Sequence, residues 1–208
     1  MYKIGYVDED ASQVKKFERK LRDSFDLVGY DIPKGLPLND LLEKIYNSDI
    51  DLLMVDYLMC DKGYLTYNGD EVVREFEKIK PRLPIIVFTH REGEAFPKVD
   101  NPNIIYDKGK ALEDMGHFSK ILLKNIEIYT RYKDVRKSKI EFLILKREKD
   151  GLSAVEKEEL FSLQLDLNNL DQKTKEVPTY LINDLKLDKL SEVTKEAEDL
   201  LNSLKKIK

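Results

Sequence analysis

The sequence predicts an α/β fold, a parallel sheet with helices on both faces, followed by an α-helical extension. Three observations predict it. Short apolar runs rich in β-branched residues (IGYV, LLMV, IIVF and IIYD) recur through the first part of the chain, and runs of that length suit strands buried on both faces. Amphipathic segments separate them, and strands alternating with helical patterns form parallel sheets through crossover connections. From Phe118 to Lys149 neither glycine nor proline occurs, which fits one long helix.

The elements follow in order. KIGYV is the first strand. Ala11 to Leu21 is a helix, with Val14, Phe17 and Leu21 at helical spacing. Phe25 to Tyr30 is the second strand and Leu38 to Tyr46 the second helix, entered through Pro37 with Asn39 or Asp40 near its start. DLLMVD is the third strand, Asp70 to Ile79 the third helix, PIIVFT the fourth strand and NIIYDK the fifth. In the long helix Ile121, Ile128, Val135 and Phe142 recur every seven residues beside Leu122, Tyr129 and Leu143. A stripe of that length needs a partner surface, either the chain's own later helices or a second subunit. Asp150 and Gly151 end it. Ser153-Ala154-Val155-Glu156 opens the next helix as a capping box, and Leu160, Leu163, Leu167 and Leu170 mark its apolar stripe. A turn around Lys175 to Pro178 leads to a segment between Tyr180 and Leu187. A last helix from Ser191 carries Val193, Ala197, Leu200, Leu204 and Ile207 at alternating four and three spacing.

Each apolar run ends in reactive residues: Asp8 and Glu9 after IGYV, Asp56 after LLMV, Thr89 after IIVF and Lys108 after IIYD. Polar residues just past such strands sit at the carboxyl edge of a parallel sheet, where open α/β folds bind ligands. Three carboxylates meeting there repel one another unless a cation joins them, and hard oxygen ligands with room for water and phosphate favour magnesium. One hydroxyl and one ammonium complete a cage for phosphate oxygens. A carboxylate is a competent nucleophile toward phosphorus, and phosphoryl transfer asks mainly for positioning and charge neutralisation. Taken singly, each strand-end Asp or Thr reads more often as a helix cap than as a site residue; five in register reverse that reading and point to a site.

On these residues, the first 128 resemble the receiver domain of two-component response regulators. The segment NGDEVVREF, Asn68 to Phe76, is similar to the DGxEL helix start of that family. The resemblance implies a flavodoxin-like five-stranded parallel sheet of order 2-1-3-4-5. It implies Mg2+ held by Asp8, Glu9, Asp56 and the backbone carbonyl of Leu58, with Asp56 as the acceptor of a phosphoryl group from a histidine kinase or phosphotransfer protein. Thr89 corresponds to the family's switch hydroxyl and Lys108 to the lysine that pairs with the phosphoryl group.

Several departures from the family stand out. The loop CDKGYLTYN, Cys60 to Asn68, is longer than usual by about five residues, as surface loops tolerate, and forms either a lid or an inert insertion. His90 follows Thr89 where the family prefers a small residue, and Gly109 replaces the usual proline after the lysine. Pro97 and Pro102 leave little room for a full helix between the fourth and fifth strands. Tyr106 lies one place later than the family's aromatic switch, at the position before it standing Ile105, so its ring is expected on the opposite sheet face. Apolar Leu58 and bulky Arg91, two residues after Asp56 and Thr89, are expected to hinder water and prolong the life of an acyl phosphate.

Of 208 residues, 37% are charged and 41% hydrophobic, enough for a core, and the formal net charge of −4 gives no general attraction to nucleic acid. No apolar signal region opens the sequence and no run approaches the roughly eighteen apolar residues of a membrane span, so a cytoplasmic location is expected. The single cysteine, Cys60, reads as an ordinary loop thiol and excludes an intramolecular disulfide; two histidines give no zinc spacing.

Two parts are expected, a receiver domain over 1–128 and a helical extension over 129–208 continuous with the last receiver helix. GLSAVEKEELFSL faintly resembles the opening of a LuxR-type DNA-binding module. Residues 151–172, however, hold Glu156, Glu158, Glu159, Asp166 and Asp171 against Lys157 alone, a net of −4 where DNA demands a basic face. Arg131 to Lys149 carries eight basic residues against three acids, which reads first as a solvated face and second as a contact for phosphates or an acidic partner. No GGDEF-like, phosphodiesterase, ATPase or kinase signature follows the receiver part, so no enzymatic output is expected. The sequence favours a phosphoaccepting regulator that signals through protein–protein contact and homodimerises through its C-terminal helices, or that serves as a phosphoryl reservoir. A phosphorylation-independent scaffold and, further off, a DNA-binding regulator are the alternatives.

Overall fold

The computed structural model describes residues 1–60, 63–89, 95 and 97–173. Five parallel strands form one sheet in the order β2-β1-β3-β4-β5: β1 (Tyr2–Val7), β2 (Phe25–Gly29), β3 (Leu52–Asp56), β4 (Ile85–Thr89) and β5 (Ile105–Asp107). Between them lie α1 (Ala11–Leu21), α2 (Leu38–Asn47) and α3 (Gly69–Ile79). After β5 come α4 (Lys108–Glu113), α5 (Met115–Asp150) and α6 (Ala154–Asn168). The chain divides into two compact units, residues 1–135 and 136–208.

In the first unit the pleat sends alternate side chains to two cores. Leu53 and Val55 of β3 and Ile85 and Val87 of β4 join Leu41, Leu42 and Ile45 of α2 and Val72, Val73 and Phe76 of α3. Leu52 and Met54, Ile86 and Phe88, and Ile4 and Tyr6 of β1 face the other way, onto Phe17 and Leu21 of α1 and Phe118, Leu122 and Ile126 of α5. Both faces of β3 and β4 are buried throughout, which is why these strands are continuous apolar runs. At β5 the same alternation puts Ile105 into the α2/α3 core and Tyr106 against Phe118, with ring centroids 6.1 Å apart.

The fifth strand is shorter than NIIYDK suggests. Pro102–Ile104 form a 3₁₀ turn capped by the Asn101 side chain, which accepts a hydrogen bond from the Asn103 amide. Lys108 is not a strand residue but the first residue of α4, whose cap Asp107 accepts from the Lys110 amide. KGKALE lacks the apolar repeat that would reveal so short a helix. The part of the Cys60–Asn68 loop that is described is built into the α2/α3 core. Leu65 and Tyr67 are buried there with Leu36 and Ile32, and the Gly35 amide donates to the Tyr64 carbonyl at 2.9 Å.

In the second unit, α6 begins with a complete Ser153/Glu156 capping box. Leu143 and Leu160 are both buried, with Ile140, Ile144, Leu152 and Leu163 around them. Three ion pairs flank this contact: Arg136–Asp166 at 3.0 Å, Lys139–Glu159 at 2.5 Å and Lys146–Glu156 at 2.5 Å. Three cations of the basic stretch, Arg136, Lys139 and Lys146, therefore find acidic partners within the chain, in Asp166, Glu159 and Glu156, acids among those that argued against DNA. Gly151, at φ +78°, makes the break between the two helices in a conformation that side chains disfavour. The turn at 175–178, the segment 180–187 and the helix expected from Ser191 lie outside the described residues.

Candidate functional site

Four strands end at one edge of the sheet, and each delivers a polar residue there. Asp8 and Glu9 follow β1, Asp56 is the last residue of β3, Thr89 the last of β4, and Lys108 follows β5. Asp8, Asp56, Thr89 and Lys108 are the only buried polar or charged residues among those described. One ligand oxygen each from Asp8, Glu9 and Asp56 lies within 4.8 Å of the others. Lys108 Nζ reaches into this group, 2.9 Å from Asp8 Oδ2 and 2.5 Å from Asp56 Oδ1.

Local structure fixes these positions. The Asp10 amide donates to Asp8 Oδ1 at 2.9 Å, and the Asp10 side chain in turn caps α1 by accepting from the Ser12 amide. After β3, the Tyr57 amide continues onto the Phe88 carbonyl and the Gly69 amide donates to the Tyr57 carbonyl. A Cβ on Gly69 would stand 2.3 Å from the Asp56 carbonyl oxygen, so α3 can approach the Asp56 backbone only with glycine there. The Asn68 side-chain oxygen accepts from the Met59 and Cys60 amides at 3.1 Å and holds the turn that leaves the site. Thr89 is buried at the same edge, in register opposite Asp107. Leu58 lies two residues past β3, partly buried against the α2/α3 core. His90 and Arg91 lie outside the described residues.

Electrostatics in the site are unbalanced. Burial raises the Glu9 pKa above the ordinary carboxyl value, and repulsion from Asp8 and Asp56 adds to the rise despite a backbone hydrogen bond that lowers it. Burial works against the charge of Lys108, but Asp56 and Asp8 outweigh it and hold its pKa above the usual lysine value. Among the described residues, three carboxylates thus face one ammonium. Glu9 Oε2 is buried without a hydrogen-bond partner among the described residues, as suits an oxygen able to ligate a hard divalent cation. The residues fit Mg2+.

A pH dependence follows. Because the folded-state pKa of Glu9 is raised, its contribution to stability is fully present below the unfolded carboxyl pKa and is lost as pH rises through the folded one. In chelator, the melting temperature is therefore expected to rise as pH falls from 7 toward 5, and Glu9→Gln is expected to flatten that slope. A slope identical in the variant would show that Glu9 does not carry the effect.

No protein-family model matches the chain, and no curated protein matches its sequence. Solved structures do. An adenylate cyclase from Rhodopirellula baltica is similar over 65% of this chain and 97% of its own, at 20% identity and a TM-score of 0.52. The non-phosphorylated receiver domain of the stress response regulator RcsB from Escherichia coli is similar at 20% identity, over 59% of this chain and 93% of its own, with a TM-score of 0.47. The BeF3-activated DrrB receiver domain is similar at 20% identity over 63% and 98%, with a TM-score of 0.43. Likeness at this identity concerns the fold. With strand order 2-1-3-4-5, the chain has the flavodoxin-like fold of receiver domains, followed by helices.

Proposed function

We propose that the protein is a phosphoaccepting response regulator, taking a phosphoryl group on Asp56 from a histidine kinase or phosphotransfer protein. The observation that carries this is the convergence of Asp8, Glu9, Asp56 and Lys108 at one buried edge. In the transfer, an Asp56 carboxylate oxygen attacks phosphorus, an O–P bond forms, and the P–N bond of the donor phosphohistidine breaks, its imidazole leaving with the electron pair. Asp8, Glu9, Asp56 and the Leu58 carbonyl would hold Mg2+, which when bound neutralises charge on the phosphoryl oxygens. Lys108 would shift from Asp56 toward the phosphoryl group, and the Thr89 hydroxyl would close on it. Incubation with acetyl phosphate and Mg2+, read by intact mass, tests this. A phosphorylated species is expected, and no modification by acetyl phosphate or by beryllofluoride would leave a phosphorylation-independent scaffold.

The output proposed is protein–protein contact through the extension, 129–208, with homodimerisation and a downstream protein partner; a phosphoryl reservoir is the variant. Support comes from the seven-residue repeat, because Val135 is 59% exposed in the first unit and Phe142 62% exposed in the second. Apolar side chains at that spacing left in water are what a coiled-coil partner covers. Light scattering at tens of micromolar, on the order of weak-interface affinities, is expected to give a dimer and Phe142→Glu a monomer. A monomeric parent protein would remove the dimer. Among the described residues no helix is long and apolar enough to cross a membrane.

A further inference from the structure

Tyr6 lies on β1 two residues before Asp8, on the face of the strand that turns to α1 and α5. Its ring is fully buried. It stands edge-on to Phe17 with centroids 5.3 Å apart and to Phe88 at 5.8 Å. Packing alone would be served by phenylalanine, yet the hydroxyl reaches past the strand end and donates to Asp8 Oδ2 at 2.6 Å. The same oxygen accepts from Lys108 Nζ at 2.9 Å, while Asp8 Oδ1 accepts from the Asp10 amide.

We infer that Tyr6 is a positioning residue for the cation site, holding the Asp8 carboxylate in its ligand orientation whether or not Lys108 is engaged with it. The inference rests on the phosphoaccepting function proposed above and adds a residue to it. Two of the three donors to Asp8 differ in permanence. Lys108 is shared between Asp8 and Asp56 and must leave Asp8 at least in part to meet a phosphoryl group on Asp56. The Tyr6 hydroxyl has no such second duty, and its short bond to a charged acceptor is of the strong kind. Once Lys108 moves, Tyr6 and the Asp10 amide are what keep the carboxylate from rotating. A hydrogen-bonded second layer of this sort sets ligand orientation and metal affinity. The surrounding rings make the support rigid, because the hydroxyl cannot move without displacing Phe17 and Phe88.

The test is a Mg2+ titration of the full chain and of Tyr6→Phe, followed by the amide resonances of Glu9 and Asp10. The variant keeps the ring and its packing and loses only the hydroxyl. Its dissociation constant for Mg2+ is expected to rise about tenfold or more. Phosphorylation by acetyl phosphate is expected to slow at limiting Mg2+ and to return to the parent rate at saturating Mg2+. A merely structural tyrosine would lower the melting temperature and leave the Mg2+ affinity unchanged, which would overturn the inference. Failure of the parent protein to bind Mg2+ at all would instead overturn the proposed function and this inference with it. If Tyr6→Phe does not fold, the parent's own phenolic proton decides. A protected, downfield Tyr6 hydroxyl proton that shifts on adding Mg2+ is expected, and one exchanging at solvent rates would overturn the inference.

Discussion

Asp56→Asn is expected to leave the chain folded and unable to take up a phosphoryl group. Asn matches Asp in shape, so the turn into Tyr57 and the close approach of Gly69 to the residue 56 carbonyl are preserved. What disappears is the anionic nucleophile. A neutral amide oxygen attacks phosphorus poorly, and the loss is expected to exceed about a thousandfold in rate, equivalent to about 4 kcal/mol of barrier. Acetyl phosphate with Mg2+ should give a phosphorylated mass with the parent protein and none with the variant. If the variant were phosphorylated to the same extent, the acceptor would lie elsewhere and Asp56 would serve only as a partner for Lys108. Removing one negative charge also relieves the crowding around Glu9, so the variant is expected to be no less stable than its parent in chelator. That result would separate loss of chemistry from loss of fold.

The edge of the sheet was legible because burial on both faces leaves β3 and β4 no room for a polar residue until the strand ends. LLMVD and IIVFT therefore mark Asp56 and Thr89 by contrast alone. The first helix was equally plain, since Val14, Phe17 and Leu21 share one face; α1 spans Ala11–Leu21, where the spacing places it. Where the chain is short of pattern, the sequence misleads. Three residues of β5 and six of α4 carry too few apolar positions to show a period, so Lys108 looks like a strand end when it is a helix start. Tyr6 was hidden for the opposite reason. Within IGYV it reads as one more core ring, and its core role is real. Only its place two residues before Asp8, on the same face of the strand, signals that the hydroxyl can reach the carboxylate. The ion pairs of the second unit show a third limit. The charge count for 131–149 suggests solvent or an outside partner and that for 151–172 only argues against DNA, whereas the fold pairs Lys139 with Glu159 and Lys146 with Glu156, a match visible only once α6 packs against its neighbour.

Lys108→Met is expected to have the largest effect on stability of any change in the site. Lys108 is 4% exposed and is the only cation with ion pairs to Asp8 and Asp56 among the described contacts. Methionine fills much the same volume without charge, so packing losses are small. The electrostatic loss is not, because removing one member of a buried ion pair leaves its partners uncompensated and costs about 3–5 kcal/mol. Glu9 already stands above its ordinary pKa through burial and the repulsion of Asp8 and Asp56, and the ammonium is the cation that the described contacts set against these carboxylates. The sign with pH is then determined. A carboxyl group whose folded pKa is raised stabilises the fold only while protonated, so the deficit should be greatest near neutral pH and shrink toward pH 5. A divalent cation should do what the proton does. Bound ligand adds RT ln(1 + [L]/Kd) to stability, and with the lysine gone the three carboxylates should bind Mg2+ more tightly than in the parent. Urea denaturation in chelator and in Mg2+ reads both effects. A deficit under about 1 kcal/mol in chelator, within the range of exposed ion pairs, would mean that the carboxylates are better solvated than their burial implies. A deficit that Mg2+ fails to reduce would mean that they do not form a cation site.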